Sequence, residues 1–121
     1  MIDPKAFAGL ANIPLCDFVD KPTTLTEGQT EASTVLWSSD DGRIKIGVWE
    51  CTPGRFTADR TAAGEYCHIL SGRATVSNTD GSGSRDIGPG DLLVLPQGWT
   101  GEWVIHEYMR KLFVIDAARV G

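Results

Sequence analysis

Long apolar runs and clusters of positive charge are both missing from this sequence. No stretch approaches the roughly 18 consecutive apolar residues that a membrane-spanning helix needs. Lysine and arginine number 11 against 16 aspartate and glutamate residues, which gives a formal net charge of −5. Because phosphate binding requires clustered lysine and arginine, this balance argues against nucleic acid and against an anionic membrane surface as partners.

Cysteine and histidine are also scarce, with 3 cysteines and 2 histidines in 121 residues. Cys16, Cys51 and Cys67 are too few, and odd in number, for a disulfide framework. The N-terminal stretch MIDPKAFAGLANIPLCDF lacks both the basic start and the long apolar run of a secretory signal. We therefore expect a reduced, cytoplasmic protein.

Length and composition are those of one ordinary globular domain. With 41% hydrophobic and 22% charged residues, a chain of this size buries a core without disulfides. Residues 1–30 show no sustained periodicity, and Pro4, Pro14 and Pro22 interrupt them. We predict an irregular N-terminal arm over residues 1–30 and a folded domain over residues 31–121.

From residue 31 onward, short apolar stretches alternate with turn residues. In RIKIGVWEC, Ile44, Ile46 and Val48 alternate with polar or small residues, which is the period of a half-buried strand. Similar stretches are ASTVLWSS, EYCHIL, RATVSN, LLVLP, EWVIHEY and RKLFVID. The 14 glycines supply tight turns. Roughly eight or more short strands with such turns predict an all-β sandwich or barrel.

The stretch GPGDLLVLPQGWTGEW resembles the second signature of the cupins, which are double-stranded β-helix or jelly-roll barrels. Gly90, Pro96 and Gly98 stand at positions of that signature, and Gly101 stands at the position of its histidine. The resemblance implies a cupin barrel that lacks one of the family's metal ligands.

The stretch GEYCHILSG resembles the end of the first cupin signature. Glu65 and Gly72 match its carboxylate and its last glycine, whereas Arg60 and Ala62 stand where its two histidines would lie. Cupins hold a catalytic metal with several imidazoles and one carboxylate. Here Glu65 is left alone, and a cation such as Arg60 would repel a metal ion and pair with the acid. We therefore expect no cofactor, with a bound divalent metal as the less favoured alternative.

Over residues 37–115 the chain is similar to the small single-domain cupins related to ureidoglycine aminohydrolase and to ethanolamine-utilisation cupins. The phrases that carry this similarity are WECTPGRF, EYCHILSGRATV, GPGDLLVLPQGWTGEW and RKLFVI. Cupins include hydrolases, isomerases, dioxygenases, sugar binders and regulators, so the fold does not determine the activity.

Three functions stay open. The favoured one is binding of a small polar organic molecule inside the barrel without a tightly held metal. The second is an enzyme, such as a hydrolase, lyase or isomerase, acting on a small nitrogenous or sugar-like acid. The third is a non-catalytic partner or regulator in a catabolic assembly.

Strand alternation predicts which side chains enter the barrel. If Glu65 points inward, as the cupin carboxylate does, Cys67 shares its face and His68 points outward. Phe56 and Arg60 share one parity on the preceding strand, and we place both inside.

Trp103 has the same inward parity as Gly101, so we expect its indole to fill the space beside the missing histidine. The predicted ligand pocket comprises the inward-facing residues Phe56, Arg60, Glu65, Cys67 and Trp103. Glu65 is the candidate catalytic acid or base, and its structural alternative is a buried carboxylate neutralised by Arg60. Cys67 is either a nucleophile or a small buried hydrophobic residue.

The resemblance also implies a homodimer, because small cupins commonly pair through the edges of their sheets. Size-exclusion chromatography with light scattering should give twice the mass of the 121-residue chain. A monomeric mass at micromolar concentration would contradict this expectation.

Overall fold

The computed structural model describes residues 2–117, and every regular element in that range is a β-strand. In chain order the strands are β1 Val19–Asp20, β2 Thr30–Ser38, β3 Ile44–Cys51, β4 Gly54–Asp59, β5 Ala63–Asn78, β6 Arg85–Ile87, β7 Leu92–Leu95 and β8 Thr100–Ala117. The described part of the chain contains no helix of the length and apolarity needed to cross a bilayer.

Two long strands, β5 and β8, connect the other strands of the barrel into one sheet. They contain 16 and 18 residues and pair with each other along most of their lengths. The first half of β8 also pairs with β4, and its second half pairs with β3. Likewise β5 pairs with β7 near its start and with β6 near its end. Each long strand thus has different partners along its two halves within one eight-stranded antiparallel sheet, and the predicted all-β jelly-roll barrel is confirmed.

The long strands replace pairs of shorter strands that the sequence predicts. EYCHIL and RATVSN belong to one strand, which has register shifts between Ile69 and Ala74 instead of a turn. Within this segment Gly72 has a φ of +87°, and a Cβ there would lie 2.3 Å from the carbonyl oxygen of Tyr108. Glycine therefore lets β5 bend against β8 without ending the strand. EWVIHEY and RKLFVID are likewise parts of a single strand, β8.

Alternation along β5 determines which of its side chains enter the barrel. Glu65, Cys67 and Ile69 are buried, whereas Tyr66 and His68 are exposed. This confirms the predicted inward parity. The core is mainly aromatic and aliphatic, and its members include Trp49, Phe56, Ile69, Val76, Leu95, Trp103, Ile105 and Met109.

The N-terminal arm is attached to the barrel by strand pairing and by side-chain contacts. Residues 2–18 contain no strand or helix, and β1 then pairs with β2. The buried Arg110 donates a hydrogen bond to the carbonyl oxygen of Ile13 and forms an ion pair with Glu50 at 3.1 Å. The division into an arm and a barrel at residue 30 stays a prediction. Met1 and residues 118–121, which the predicted domain boundaries include, lie outside the described residues.

Gly72→Ala is expected to destabilise the protein more than Gly90→Ala. The two glycines have nearly equal φ angles, +87° and +89°, so each substitution adds about 1–2 kcal/mol of backbone strain. At Gly72 the new Cβ would also meet the main chain, 2.7 Å from the Cα of Met109, whereas nothing lies within 4 Å at Gly90. This overpacking adds about 1–3 kcal/mol. Urea denaturation measures the free energies of unfolding, and equal losses in both variants would contradict the close approach of β5 and β8.

Candidate functional site

A cavity of about 190 Å³ opens among strands β2, β3, β4, β5 and β8. Its wall consists of Lys21, Glu31, Ser33, Trp49, Phe56, Arg60, Glu65, Trp103, Lys111, Phe113 and Ile115. Four of the five residues that the sequence predicts for the pocket are therefore brought together on this wall. The exception is Cys67.

Cys67 is fully buried but is not one of the wall residues. Burial raises the pKa of its thiol to about 11, so the group stays protonated near neutral pH. Because the thiolate is the reactive form, this environment favours the structural alternative of a small buried side chain over a nucleophile.

Glu65 lies between two cations. Its Oε1 is 3.0 Å from Nη2 of Arg60, and its Oε2 is 3.2 Å from Nζ of Lys111. Lys111 and the carboxylate are both buried, whereas Arg60 is partly exposed. The predicted pairing of Glu65 with Arg60 is thus present, and the sequence did not reveal the second partner.

The ion pairs keep Glu65 charged inside the barrel. Burial raises the pKa of the Glu65 carboxyl, but the positive charges of Lys111 and Arg60 outweigh burial and hold it below its ordinary value of 4.5. Burial lowers the pKa of the Lys111 ammonium, but the charge of Glu65 outweighs this and raises the pKa above 10.5. Near neutral pH the pair therefore consists of a carboxylate and an ammonium, and Lys111 is not a free amine nucleophile.

Aromatic rings form one side of the cavity, and the ammonium groups of two lysines lie over the faces of these rings. The rings of Phe56 and Trp103 stack with centroids 5.7 Å apart, and Trp49 meets both edge-on. Nζ of Lys111 lies 4.3 Å from the ring centroid of Trp49 and 4.5 Å from that of Trp103. Nζ of Lys21 lies 4.4 Å from the centroid of Phe56. These cation–π contacts help to hold two ammonium groups in a largely buried site.

A second carboxylate, Glu31, organises the outer part of the wall. Its Oε1 accepts hydrogen bonds from Nζ of Lys21 at 2.9 Å and from Nε1 of Trp49 at 2.8 Å. This arrangement fixes the Trp49 indole and holds the arm residue Lys21 at the cavity.

Two buried polar atoms on the wall lack hydrogen-bond partners among the described residues. They are Oε1 of Glu65 and Nε of Arg60. Nη2 of Arg60 contacts Oε1 at 3.0 Å as an ion pair, and no contact of that oxygen among the described residues has ideal hydrogen-bond geometry. Since buried polar atoms are nearly always paired, these two are the natural contact points for a bound molecule.

The residues of the site do not fit the catalytic metal that the cupin signatures imply. Glu65 already pairs with two fixed cations, which would repel a metal ion. At Gly101, the position of the family's histidine, a Cβ would lie 2.2 Å from both the Trp99 ring and the carbonyl oxygen of Ser77. Within residues 2–117 no group of three or more His, Cys, Asp or Glu side chains could hold a metal ion.

The space beside Gly101 corrects one sequence prediction. Trp103 was the expected neighbour, but it is the ring of Trp99 that lies against Gly101. The indole of Trp99 is fixed there by a 2.9 Å hydrogen bond from its Nε1 to Oδ1 of Asn78. Trp103 instead stacks on Phe56 at the cavity.

Both histidines lie on the outside of the barrel. His68 is exposed and stands opposite Leu92 and Leu112 on the neighbouring strands. His106 is exposed, and its Nε2 lies 2.8 Å from Oγ1 of Thr75. Neither ring lines the cavity.

Sequence reasoning missed Lys111 and Lys21, the two lysines of the site. For Lys111 a signal existed, because it shares the inward parity of Phe113 and Ile115 in RKLFVID. Lys21 lies in the arm, where no periodicity indicates a direction, so only the tertiary structure brings it to the cavity.

Comparisons with known proteins agree with this fold. The family model of the EutQ-like cupin domain matches residues 38–113. The EutQ protein of Clostridium difficile superposes with a TM-score of 0.73 at 18% identity, covering 92% of this chain and 86% of that protein. Among curated proteins, none matches this chain.

Two further solved structures share this fold. A protein of unknown function from Pseudomonas syringae pv. tomato has a TM-score of 0.72 at 24% identity, and the alignment covers 88% of this chain but 45% of that protein, less than half of its length. Ectoine synthase from P. lautus has a TM-score of 0.66 at 17% identity and coverages of 84% and 69%. At these identities the likeness shows the fold alone. The predicted similarity to small cupins is confirmed, and it determines no activity.

Replacing only Glu65 or only Lys111 is expected to lower the free energy of unfolding strongly, because each single substitution leaves a buried charge unbalanced. Glu65→Gln leaves a buried ammonium without its carboxylate, and Lys111→Met removes the more deeply buried of the two balancing charges from Glu65. Each single substitution should cost about 3–5 kcal/mol, and the double variant should lose much less than the sum. Urea denaturation of the four proteins measures this coupling.

An exposed ion pair provides the matched control. Arg55 and Glu102 have side chains 57% and 29% exposed, so the coupling measured with Arg55→Gln, Glu102→Gln and the double variant should be less than about 1 kcal/mol. The Glu65 coupling should be complete above pH 4.5, the ordinary pKa of the carboxyl, and should disappear as the pH falls through the lowered folded-state pKa. A coupling as small as that of the exposed pair would contradict the buried ion-pair assignment.

Proposed function

This chain belongs to the family of EutQ-like cupin domains, and from that premise we propose that its barrel binds a small polar organic molecule around Glu65 without a tightly held metal. The supporting observation is the pair of unpartnered buried atoms on the cavity wall, Oε1 of Glu65 and Nε of Arg60, considered among the described residues. A molecule that donates to the first atom and accepts from the second completes the hydrogen bonding of the site.

The fixed cations support a site that works without a metal. Oxygens of Glu65 lie within 3.0 Å of Arg60 and 3.2 Å of Lys111. These side chains supply the positive charge that a divalent ion supplies in other cupins, and like charges at this distance disfavour an added ion.

The size and composition of the wall define the ligand further. A volume of about 190 Å³ lies below the roughly 300–1,000 Å³ of sites for drug-sized molecules. The stacked rings of Phe56 and Trp103 and the indole of Trp49 offer an apolar surface for the carbon skeleton. The proposed ligand is therefore small, with a polar end at Glu65 and Arg60.

An enzyme with Glu65 as general base is the second candidate. Oε1 of Glu65, which lacks a hydrogen-bond partner among the described residues, favours it, because a base must accept a proton from the substrate. The lowered pKa of Glu65 keeps the carboxylate deprotonated near neutral pH, so the group can act as a weak base and not as an acid. A hydrolase, lyase or isomerase acting on a small nitrogenous or sugar-like acid would fit, with Arg60 orienting the substrate. In that case Glu65→Gln should reduce kcat about 100-fold or more.

The homodimer, the non-catalytic role and the cytoplasmic location remain predictions. Exposed apolar side chains on the outer face, including Tyr66, Leu92 and Val94, support a homodimer. A non-catalytic role in a catabolic assembly would use the same kind of surface. Cytoplasmic location also remains a proposal.

A thermal-shift screen of small polar metabolites tests the favoured function. The protein is purified without an affinity-tag metal, and elemental analysis measures its metal content. A true ligand at ten times its Kd should add about 1.4 kcal/mol of stability, which is a rise of several degrees in Tm. Arg60→Gln should abolish that rise, because the substitution removes the guanidinium from the wall.

The control variant is Arg43→Gln, which breaks an ion pair with Asp116 away from the cavity and should retain the full shift. Stoichiometric manganese, iron, nickel or zinc in the purified protein would overturn the metal-free part of the proposal. A ligand shift that survives both Arg60→Gln and Glu65→Gln would overturn the location of the site.

A further inference from the structure

The cavity wall carries more positive than negative charges. Three cations, Lys21, Arg60 and Lys111, line the cavity with only two carboxylates, Glu31 and Glu65. Each carboxylate is already in contact with a cation, at 2.9 Å for Glu31 and at 3.0 and 3.2 Å for Glu65. Among the described wall residues this leaves one positive charge in excess.

Two of the three cations are held where water screens their charges poorly. The side chain of Lys111 is 6% exposed and that of Lys21 is 12% exposed. Electrostatic interactions in such surroundings are stronger than at the surface, so the charge of an incoming ligand affects its affinity strongly. An anion would balance the wall, and a cation would increase the imbalance.

The aromatic faces also disfavour a cationic ligand. Rings in a cavity often bind a ligand's ammonium group, but here the chain's own lysines lie over them. Lys111 covers Trp49 and Trp103, and Lys21 covers Phe56.

The two unpartnered atoms, Oε1 of Glu65 and Nε of Arg60, add a requirement on the hydrogen-bonding groups of the ligand. Oε1 of Glu65 can only accept, so the ligand must present an O–H or N–H group to it. Arg60 is the outermost of the two cations at Glu65, with a side chain 29% exposed, and its Nε is a free donor. A guanidinium binds a carboxylate through two parallel hydrogen bonds, which a neutral oxygen cannot match.

We propose that the cavity recognises a small monocarboxylate with a hydroxyl or N–H group on the neighbouring carbon. The carboxylate is bound by Arg60 within the excess positive charge of the wall, and the neighbouring donor is bound by Oε1 of Glu65. This ligand class rests on the proposed binding function and specifies it.

A set of matched three-carbon probes separates the two requirements. Lactate has the carboxylate and the hydroxyl, propionate lacks the hydroxyl, propane-1,2-diol lacks the charge, and 1-aminopropan-2-ol carries the opposite charge. Each is titrated into the full-length, ¹⁵N-labelled chain at constant ionic strength and pH 7.5. The indole N–H signals of Trp49 and Trp103 report on the cavity wall.

Lactate should give saturable shifts of these signals with a Kd in the millimolar range, as expected for so few atoms. Propionate should bind about tenfold more weakly, because it leaves the charged acceptor unpaired. The diol and the amino alcohol should give no saturable shift. Arg60→Gln should abolish lactate binding, Arg60→Lys should weaken it by about tenfold through loss of the planar fork, and Arg43→Gln should leave it unchanged.

Two outcomes overturn the inference. One is tighter binding of the diol or the amino alcohol than of lactate at the same indole signals, which would retain the proposed binding cavity but reject its anionic ligand. The other is the absence of any lactate shift up to roughly 100 mM, a range that detects even affinities weaker than millimolar. The proposed function itself fails only if the metabolite screen also yields no ligand that depends on Arg60.

Discussion

The buried carboxylate of Glu65, held between Arg60 and Lys111, is the interaction on which the site depends. Its two oxygens lie 3.0 and 3.2 Å from the cationic nitrogens. An isolated carboxylate in the core of a small barrel would lose its charge, whereas this one keeps it because the neighbouring cations outweigh the effect of burial. The aromatic wall in turn holds the Lys111 ammonium through two indole faces. Removing one of these groups therefore changes the electrostatics of the whole cavity.

This arrangement places positive charge inside a cupin barrel without a metal ion. A metal site of the family needs several neutral imidazoles around one carboxylate, and its electrophile can be lost or exchanged. Here the positive charges belong to side chains of the protein, Lys21, Arg60 and Lys111, and no bound ion is needed to supply them. Gly101, where the family's histidine would stand, has no room for a side chain because Trp99 lies against it. The packing at Gly101 and the positive charges around Glu65 thus both disfavour a bound metal ion.

Sequence patterns indicated much of the site because strand alternation is a local property. Phe56, Arg60, Glu65 and Trp103 were assigned to the interior by parity, and all four line the cavity. Patterns were less informative where strands bend. The stretches between EYCHIL and RATVSN and between EWVIHEY and RKLFVID were predicted as breaks between short strands, but β5 and β8 continue through them. In β5 the chain continues because a strand with register shifts and a left-handed glycine, Gly72, does not have to end.

By itself, the sequence determined the all-β cupin barrel, its inward-facing residues and the loss of the family's histidines. These follow from the alternation of side chains along single strands and from the residue types at signature positions. Only the tertiary structure decided that Lys111 meets Glu65 and that Lys21 reaches the cavity from the arm. Such contacts join segments far apart in the chain, and they depend on strand register and on the path of an aperiodic arm. No local pattern encodes either, so the excess positive charge of the cavity became visible only when the strands were assembled.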